Sequence, residues 1–284
     1  MTKKCLFLCV DGVRSDSILY ANCENFRSLL SHSNTNYSMH CQTIKTTVST
    51  PSWTSILTGK DETDFISRTN EEMTADHQVK FLKENLFINK LSKSTKVIVS
   101  SWDEFANSLQ KSMEGQGLPS TSTSLFEGSN VANNDHRTSQ ELIKTLDNEF
   151  CVDFIMTYLM NVDETGHNYG FNINSKEYIA ALEVFDYNLG IIINKIRKRE
   201  SLFNEEWSIV ITSDHGGCYL KDLNEEERVE YFKIFPEIKA GIHGLPYPVF
   251  TNTIFLNNHY KNGNREIVNM HTKMIANNVL NFFD

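Results

Sequence analysis

The stretch SIVITSDHGG at residues 208–217 runs an apolar, β-branched segment directly into an aspartate, a histidine and two glycines. A continuous apolar run of this length suits a strand covered on both faces, as in a parallel sheet, because a strand with one wet face would alternate. The SDHGG end of the stretch has two readings. One is a polar turn, in which Asp214 bonds nearby backbone donors and the glycines take positive φ. The other is a ligand site, with Asp214 and His215 held at the carboxyl end of a buried strand, where α/β proteins place their ligands. The rest of the chain decides between them.

Four more apolar runs of strand length occur, at residues 5–10, 96–100, 152–160 and 249–256. Helical patterns lie between and after them, at about 51–57, 76–91, 139–146, 175–199 and 266–283. The helix from Ser175 is marked by Ile179, Leu182, Phe185, Leu189, Ile192 and Ile193 on one face and by a basic last turn. Strand and helix alternate, so the expected fold is a single α/β domain over residues 1–284, with a largely parallel central sheet and helices on both faces. Residues 112–139, rich in Ser, Gly and Asn, are expected to form an irregular excursion over the site. Residues 222–248 begin acidic, end in GIHGLPYP and read mostly as loop.

With 40% hydrophobic and 22% charged residues, the 284-residue chain has the composition of a globular domain. Its formal charge of -9 argues against a nucleic acid duplex as partner, so an anionic ligand needs a local positive centre. The apolar start at residues 5–10 is too short for a signal-peptide core or a membrane span, and no later segment approaches membrane length. The expectation is a cytoplasmic protein with no membrane partner. The six cysteines, at 5, 9, 23, 41, 151 and 218, show no Cys-x-x-Cys pair and read as reduced thiols, with Cys5, Cys9 and Cys151 in or beside buried strands.

Several further strand ends carry carboxylates or imidazoles. The first strand ends in Val10-Asp11-Gly12. After the run at 152–160 comes Asp163-Glu164-Thr165-Gly166-His167, whose Asp and His share a face if the segment is helical, a natural grip for a metal ion. Ile242-His243-Gly244 offers one more imidazole beside glycine. Asp11, Asp163, His167, Asp214, His215 and His243 thus form a mixed nitrogen and oxygen donor set. Such a set suits two divalent ions, zinc or, less selectively, manganese or iron, and is too nitrogen-rich for a calcium cage. A nucleophile candidate lies in Thr47-Val48-Ser49-Thr50-Pro51-Ser52-Trp53. Pro51 pre-sets the first turn of a helix, so Ser49 and Thr50 fall at or just before its amino end, where free backbone donors favour an oxyanion. Read alone, this is an ordinary helix cap.

Taken in order along the chain, these pieces resemble the alkaline phosphatase superfamily, nearest its nucleotide pyrophosphatase/phosphodiesterase branch. Asp11-Gly12 resembles the first metal ligand, TVSTPSWTSILTG (47–59) the nucleophile helix, and DETGHNYG (163–170) the Asp-x-x-x-His motif. SDHGG resembles the paired Asp-His ligands and GIHG the last histidine. The resemblance implies that Asp163, His167 and His243 hold one metal, and Asp11, Asp214, His215 and the nucleophile oxygen the other. In the family the reacting residue lies two before the proline, which here is Ser49, with Thr50 as the alternative. An asparagine that holds a phosphoryl oxygen falls, by spacing from Thr58-Gly59, on Asn70.

The implied activity is a two-metal phosphodiesterase acting on a small phosphate ester, a nucleotide among the candidates, through a phosphoseryl intermediate. Trp53 and Tyr158 are candidates to line a pocket for its base or other apolar leaving group, or else are core aromatics. Two departures bear on the substrate: the family's phosphodiesterases usually carry threonine as nucleophile and a His-Gly shortly after Thr-Gly, where this chain has Ser49 and Asp64-Phe65. The sulfatase branch requires an arginine four residues after the nucleophile, where Trp53 stands. The alternatives are a phosphomonoesterase or phosphonate hydrolase of the same superfamily, or a catalytically silent phospho-ligand-binding protein.

Overall fold

A computed structural model describes residues 1–91, 95–115, 120–127, 130–148, 152–259 and 263–284. Its strands are β1 Thr2–Val10, β2 Thr35–Gln42, β3 Lys96–Ser100, β4 Ser120–Ser124, β5 Phe154–Leu159, β6 Glu205–Thr212, β7 Cys218–Tyr219, β8 Gly241–Ile242, β9 Asn252–Asn258 and β10 Arg265–Glu266. Its helices are α1 Ser15–Tyr20, α2 Glu24–Ser31, α3 Ser49–Thr58, α4 Asp76–Asn85, α5 Asp103–Met113, α6 Val131–Asp147, α7 Asn161–Tyr169, α8 Lys176–Phe203, α9 Glu225–Ile234, α10 Pro248–Thr251 and α11 Ile275–Phe283.

Eight strands form one sheet in the order β10-β2-β9-β6-β1-β5-β3-β4. The run from β6 to β4 is parallel, and β9 is antiparallel to both its neighbours. Period-two alternation sends Leu6, Leu8 and Val10 of β1 into one core, with Phe26 of α2, Leu142 of α6 and Leu182 and Leu189 of α8. Cys5, Phe7 and Cys9 enter the other core, with Trp53 of α3, Leu82 of α4, Phe105 of α5 and Val279 of α11. Both faces are therefore dry, which is why the central strands read as unbroken apolar runs. Each fully buried Leu or Phe contributes roughly 1.5–3 kcal/mol.

Several segments differ from expectation. Within 249–256, Pro248 starts the short helix α10, so the strand begins at Asn252; proline at a first helical position is pre-organised for the turn. Part of 112–139 is regular: Ser120–Ser124 adds a parallel edge strand beside β3, and α6 already starts at Val131. The expected loop at 222–248 contains α9, begun by Asn224 and Glu227 in reciprocal capping contact. The expected terminal helix begins only at Ile275. The strand β2, TNYSMHCQ, shows no apolar run because it pairs between β9 and the two-residue β10, near the edge of the sheet. Cys5, Cys9, Cys23, Cys41 and Cys218 are buried and unpaired, while Cys151 lies outside the described residues. Among the described residues no helix is long and apolar enough to cross a membrane.

Candidate active site

The carboxyl ends of the parallel strands converge on one rim. Val10 of β1 leads into Asp11, β5 leads into α7 with Asp163 in its first turn and His167 in its last, and β6 leads into Asp214 and His215. The short ribbon β7-β8 brings His243 to the same place, and α3 begins there with Ser49. Asp214 and His215 of SIVITSDHGG thus lie at a shared strand-end cluster, where Asp214 also accepts from a backbone donor, the Gly12 N–H.

His215 is the hub. Its Nε2 lies 3.4 Å from Ser49 Oγ, 3.3 Å from Asp11 Oδ1 and 3.3 Å from Asp214 Oδ2. Asp163 Oδ1 stands 4.0 Å from that nitrogen and 3.7 Å from His243 Nε2, while Asp163 Oδ2 is 3.4 Å from His167 Nε2. Possible ligand atoms of Asp163, His167 and His243 all lie within 4.8 Å of one another, and so do those of Asp11, Asp163 and His215. Asp163 thus belongs to both groups, and Asp214 joins the second through its contact with His215.

Local sequence explains the approach. Gly12 takes φ +70, and a Cβ there would lie 2.7 Å from Asp163 Oδ1 and 2.8 Å from its Cα, so only glycine lets the β1 turn and α7 meet. Its N–H donates to Asp214 Oδ1 at 3.2 Å. A Cβ on Gly241 would stand 2.0 Å from the carbonyl oxygen of Gly166, so the glycines of the TGH and GIHG motifs let α7 and β8 pack backbone to backbone. The loop before α3 clamps the last histidine. Thr47 accepts from His243 Nδ1 through its carbonyl at 2.6 Å, and its hydroxyl accepts from Gly244 N at 2.8 Å.

The donor chemistry fits divalent cations. Each imidazole Nδ1 lies on a carbonyl oxygen: His167 on Gly241 at 2.9 Å, His215 on Gly216 at 2.9 Å and His243 on Thr47. A carbonyl only accepts, so Nδ1 carries the proton and each Nε2 turns a lone pair inward. Two of these lone pairs, on His167 and His243, face each other at 3.0 Å. The buried oxygens Asp11 Oδ1, Asp163 Oδ1 and Asp214 Oδ2 have no hydrogen-bond partner. Burial, reinforced by the charge of Asp11, pushes the Asp163 and Asp214 carboxyls well above the usual range. Burial also holds His167 down at about 3 and lowers His215 and His243. A set of inward lone pairs and unpartnered oxygens suits positive ions between them, and mixed N/O ligation suits zinc.

Ser49 is the first residue of α3 and is buried, with its hydroxyl toward the cluster. Thr50 Oγ1 is buried without a hydrogen bond, while its N–H donates to Asn70 Oδ1 at 3.0 Å. Asn70, placed by spacing, therefore stands at the amino end of α3. Trp53 and Tyr158 are fully buried core aromatics with ring centroids 5.4 Å apart, so neither forms a leaving-group pocket. Tyr158 nevertheless touches the site: its hydroxyl donates to Asp11 Oδ2. Only the pairing of β1 with β5 reveals this role, because Tyr158 lies opposite Cys9, two residues before Asp11. Cys218 caps its own ribbon, its thiol donating to the Tyr219 carbonyl, and stays out of the donor groups. A cleft of about 710 Å³ opens from His167, His243 and Asn70 toward Phe235 and Lys239.

The model of the type I phosphodiesterase / nucleotide pyrophosphatase family matches residues 70–245. No curated protein matches the sequence. The chain superposes on murine ectonucleotide pyrophosphatase/phosphodiesterase 5 with a TM-score of 0.69 at 14% identity, covering 98% of this chain and 94% of that one. The human counterpart gives the same figures, a TM-score of 0.69 at 14% identity over 98% and 94%. An inactive form of the murine protein in complex with AMP gives 0.67 at 14% identity over 99% and 95%. At this identity the superpositions establish the shared fold, and the family match, over more than half of the chain, establishes the lineage. The chain belongs to the type I phosphodiesterase / nucleotide pyrophosphatase family.

Proposed function

We propose that the chain is a two-cation phosphodiester hydrolase that works through a covalent phosphoseryl intermediate on Ser49. The observation that carries the reading is the convergence of three unprotonated imidazole nitrogens and three unpartnered carboxylate oxygens beside the Ser49 hydroxyl. Asp163, His167 and His243 would hold one divalent cation, and Asp11, Asp214 and His215, with Ser49 Oγ, the other. Bound there, the cations supply positive charge that attracts phosphoryl oxygens and favours the serine alkoxide at neutral pH.

Ser49 Oγ sits at the start of α3, where the positive end of the helix dipole favours negative charge. Its attack in line on phosphorus forms the O–P bond as the leaving oxygen departs with the bonding electrons, and water then hydrolyses the phosphoserine and restores the hydroxyl. Asn70, its Oδ1 fixed by the Thr50 N–H, is oriented to donate its amide nitrogen to a phosphoryl oxygen. A nucleotide as substrate is supported by the AMP complex of the murine relative.

Purified protein is expected to carry close to two transition-metal ions per chain, with zinc the best fit. Elemental analysis finding at most one ion after loading with zinc or manganese would sink this reading. Diesters are expected to outrun monoesters. The guanidinium of Arg68, on the cleft wall, is turned onto the carbonyls of Phe65, Ser67 and Glu62, so it is not free to meet a monoester's extra charge. The specificity constant for bis-p-nitrophenyl phosphate should exceed that for the monoester by about tenfold or more, a difference of roughly 1.4 kcal/mol. Equal constants, or a faster monoester, would favour a phosphomonoesterase.

A further inference from the structure

The helix that carries Asp163 and His167 is nine residues long, too short to be stable alone, and its first N–H groups need partners from elsewhere. The residue before it, Met160, supplies no side-chain cap. The cap comes instead from α6: Asp135 Oδ1 accepts from Met160 N at 3.0 Å and Asp135 Oδ2 from Asn161 N at 2.9 Å. Ser101, just past β3, ties the same turn to the sheet, accepting from Met160 N at 3.2 Å and donating to the Tyr158 carbonyl at 3.2 Å. Packing does not do this work on its own, because a cavity of about 60 Å³ adjoins the turn, lined in part by Asp135, Leu159, Asn161 and Val162.

We propose that Asp135 is a positioning residue that aims the Asp163–His167 helix at the cation site, a task for which its two oxygens clamp the two N–H groups where β5 turns into α7. The inference rests on the reading of Asp163 and His167 as cation ligands. Asp163 is the third residue of α7 and His167 the seventh, so a tilt of the first turn displaces both donors together. Asp11, Asp214 and His215 sit on other loops that Asp135 does not touch. Its loss should therefore act most on the ion held by Asp163, His167 and His243, which has two ligands on this helix, and less on the other, which shares only Asp163, in the way that residues orienting metal ligands govern affinity.

The test is calorimetric titration of zinc into chelator-stripped wild type, Asp135→Asn and Asp135→Ala. Asp135→Ala should weaken the ion held by Asp163, His167 and His243 by about 10–100-fold and the other, which shares only Asp163 with it, by less. Asp135→Asn should fall between, since its amide oxygen still accepts one N–H bond. Excess zinc should restore activity toward the wild-type level in both variants, which a general loss of structure would not allow. Unchanged affinities for both ions, with only a lower Tm, would show a plain helix cap and overturn the proposal. Equal weakening of both ions in Asp135→Asn, the milder change, would overturn it as well. A wild-type protein that takes up no zinc removes the cation reading and this inference with it, whereas two ions in wild type and identical affinities in the variants remove this inference alone.

Discussion

Ser49→Ala is expected to lower turnover of a phosphodiester by about three or more orders of magnitude, because the substitution removes the proposed nucleophile. Metal content should largely survive, since three side chains remain at each cluster, Asp163 being common to both. The neighbouring Thr50→Ala is the control. The Thr50 hydroxyl is buried without a hydrogen-bond partner, and the contact of this residue with Asn70 runs through the backbone N–H, which alanine keeps. That change should cost little activity. Steady-state rates of both variants, read beside their zinc content, distinguish the outcomes. Activity lost in Thr50→Ala and kept in Ser49→Ala would move the nucleophile by one residue. Activity kept in both, with the ions in place, would end the covalent mechanism.

Asp163→Asn should have an effect of similar size by a different route. This carboxylate stands between the two donor groups, so its loss is expected to weaken both ions and to cost several orders of magnitude in rate at limiting zinc. His167→Ala, by contrast, should affect one ion. Stability should show a crossover. In chelated protein the buried Asp163 carboxyl has a raised pKa, so its contribution is fully favourable only below the ordinary aspartate value and is lost as pH rises toward the shifted one. Asp163→Asn has no such group, so near neutral pH the stripped variant should melt above stripped wild type, by a margin that widens with pH. With zinc added the order should reverse, because ligation stabilises most the chain that binds most tightly. Thermal melts with and without chelator across pH would check both halves. A variant that melts lower in every condition would show that Asp163 serves packing rather than cations.

The pattern of the chain by itself determined the layered α/β architecture, since apolar runs such as 5–10 and 208–212 are unbroken only when both faces of a strand are buried. It also determined the donor types. Aspartates and histidines placed next to glycines at strand ends stand out because the backbone there must turn sharply and approach other segments closely, as Gly12 and Gly241 do. Register, partnership and direction lay beyond it. The polar strand β2 and the antiparallel course of β9 depend on which strands lie next to them, information that no local window contains. Only the tertiary structure set Ser49 rather than Thr50 toward His215, buried Trp53 in the core, turned the Tyr158 hydroxyl onto Asp11 and brought Asp135 from another helix to cap α7. Each of these is a contact between segments distant in the chain, fixed by the packing of two cores against one sheet, and such contacts leave no periodicity in the residues that make them.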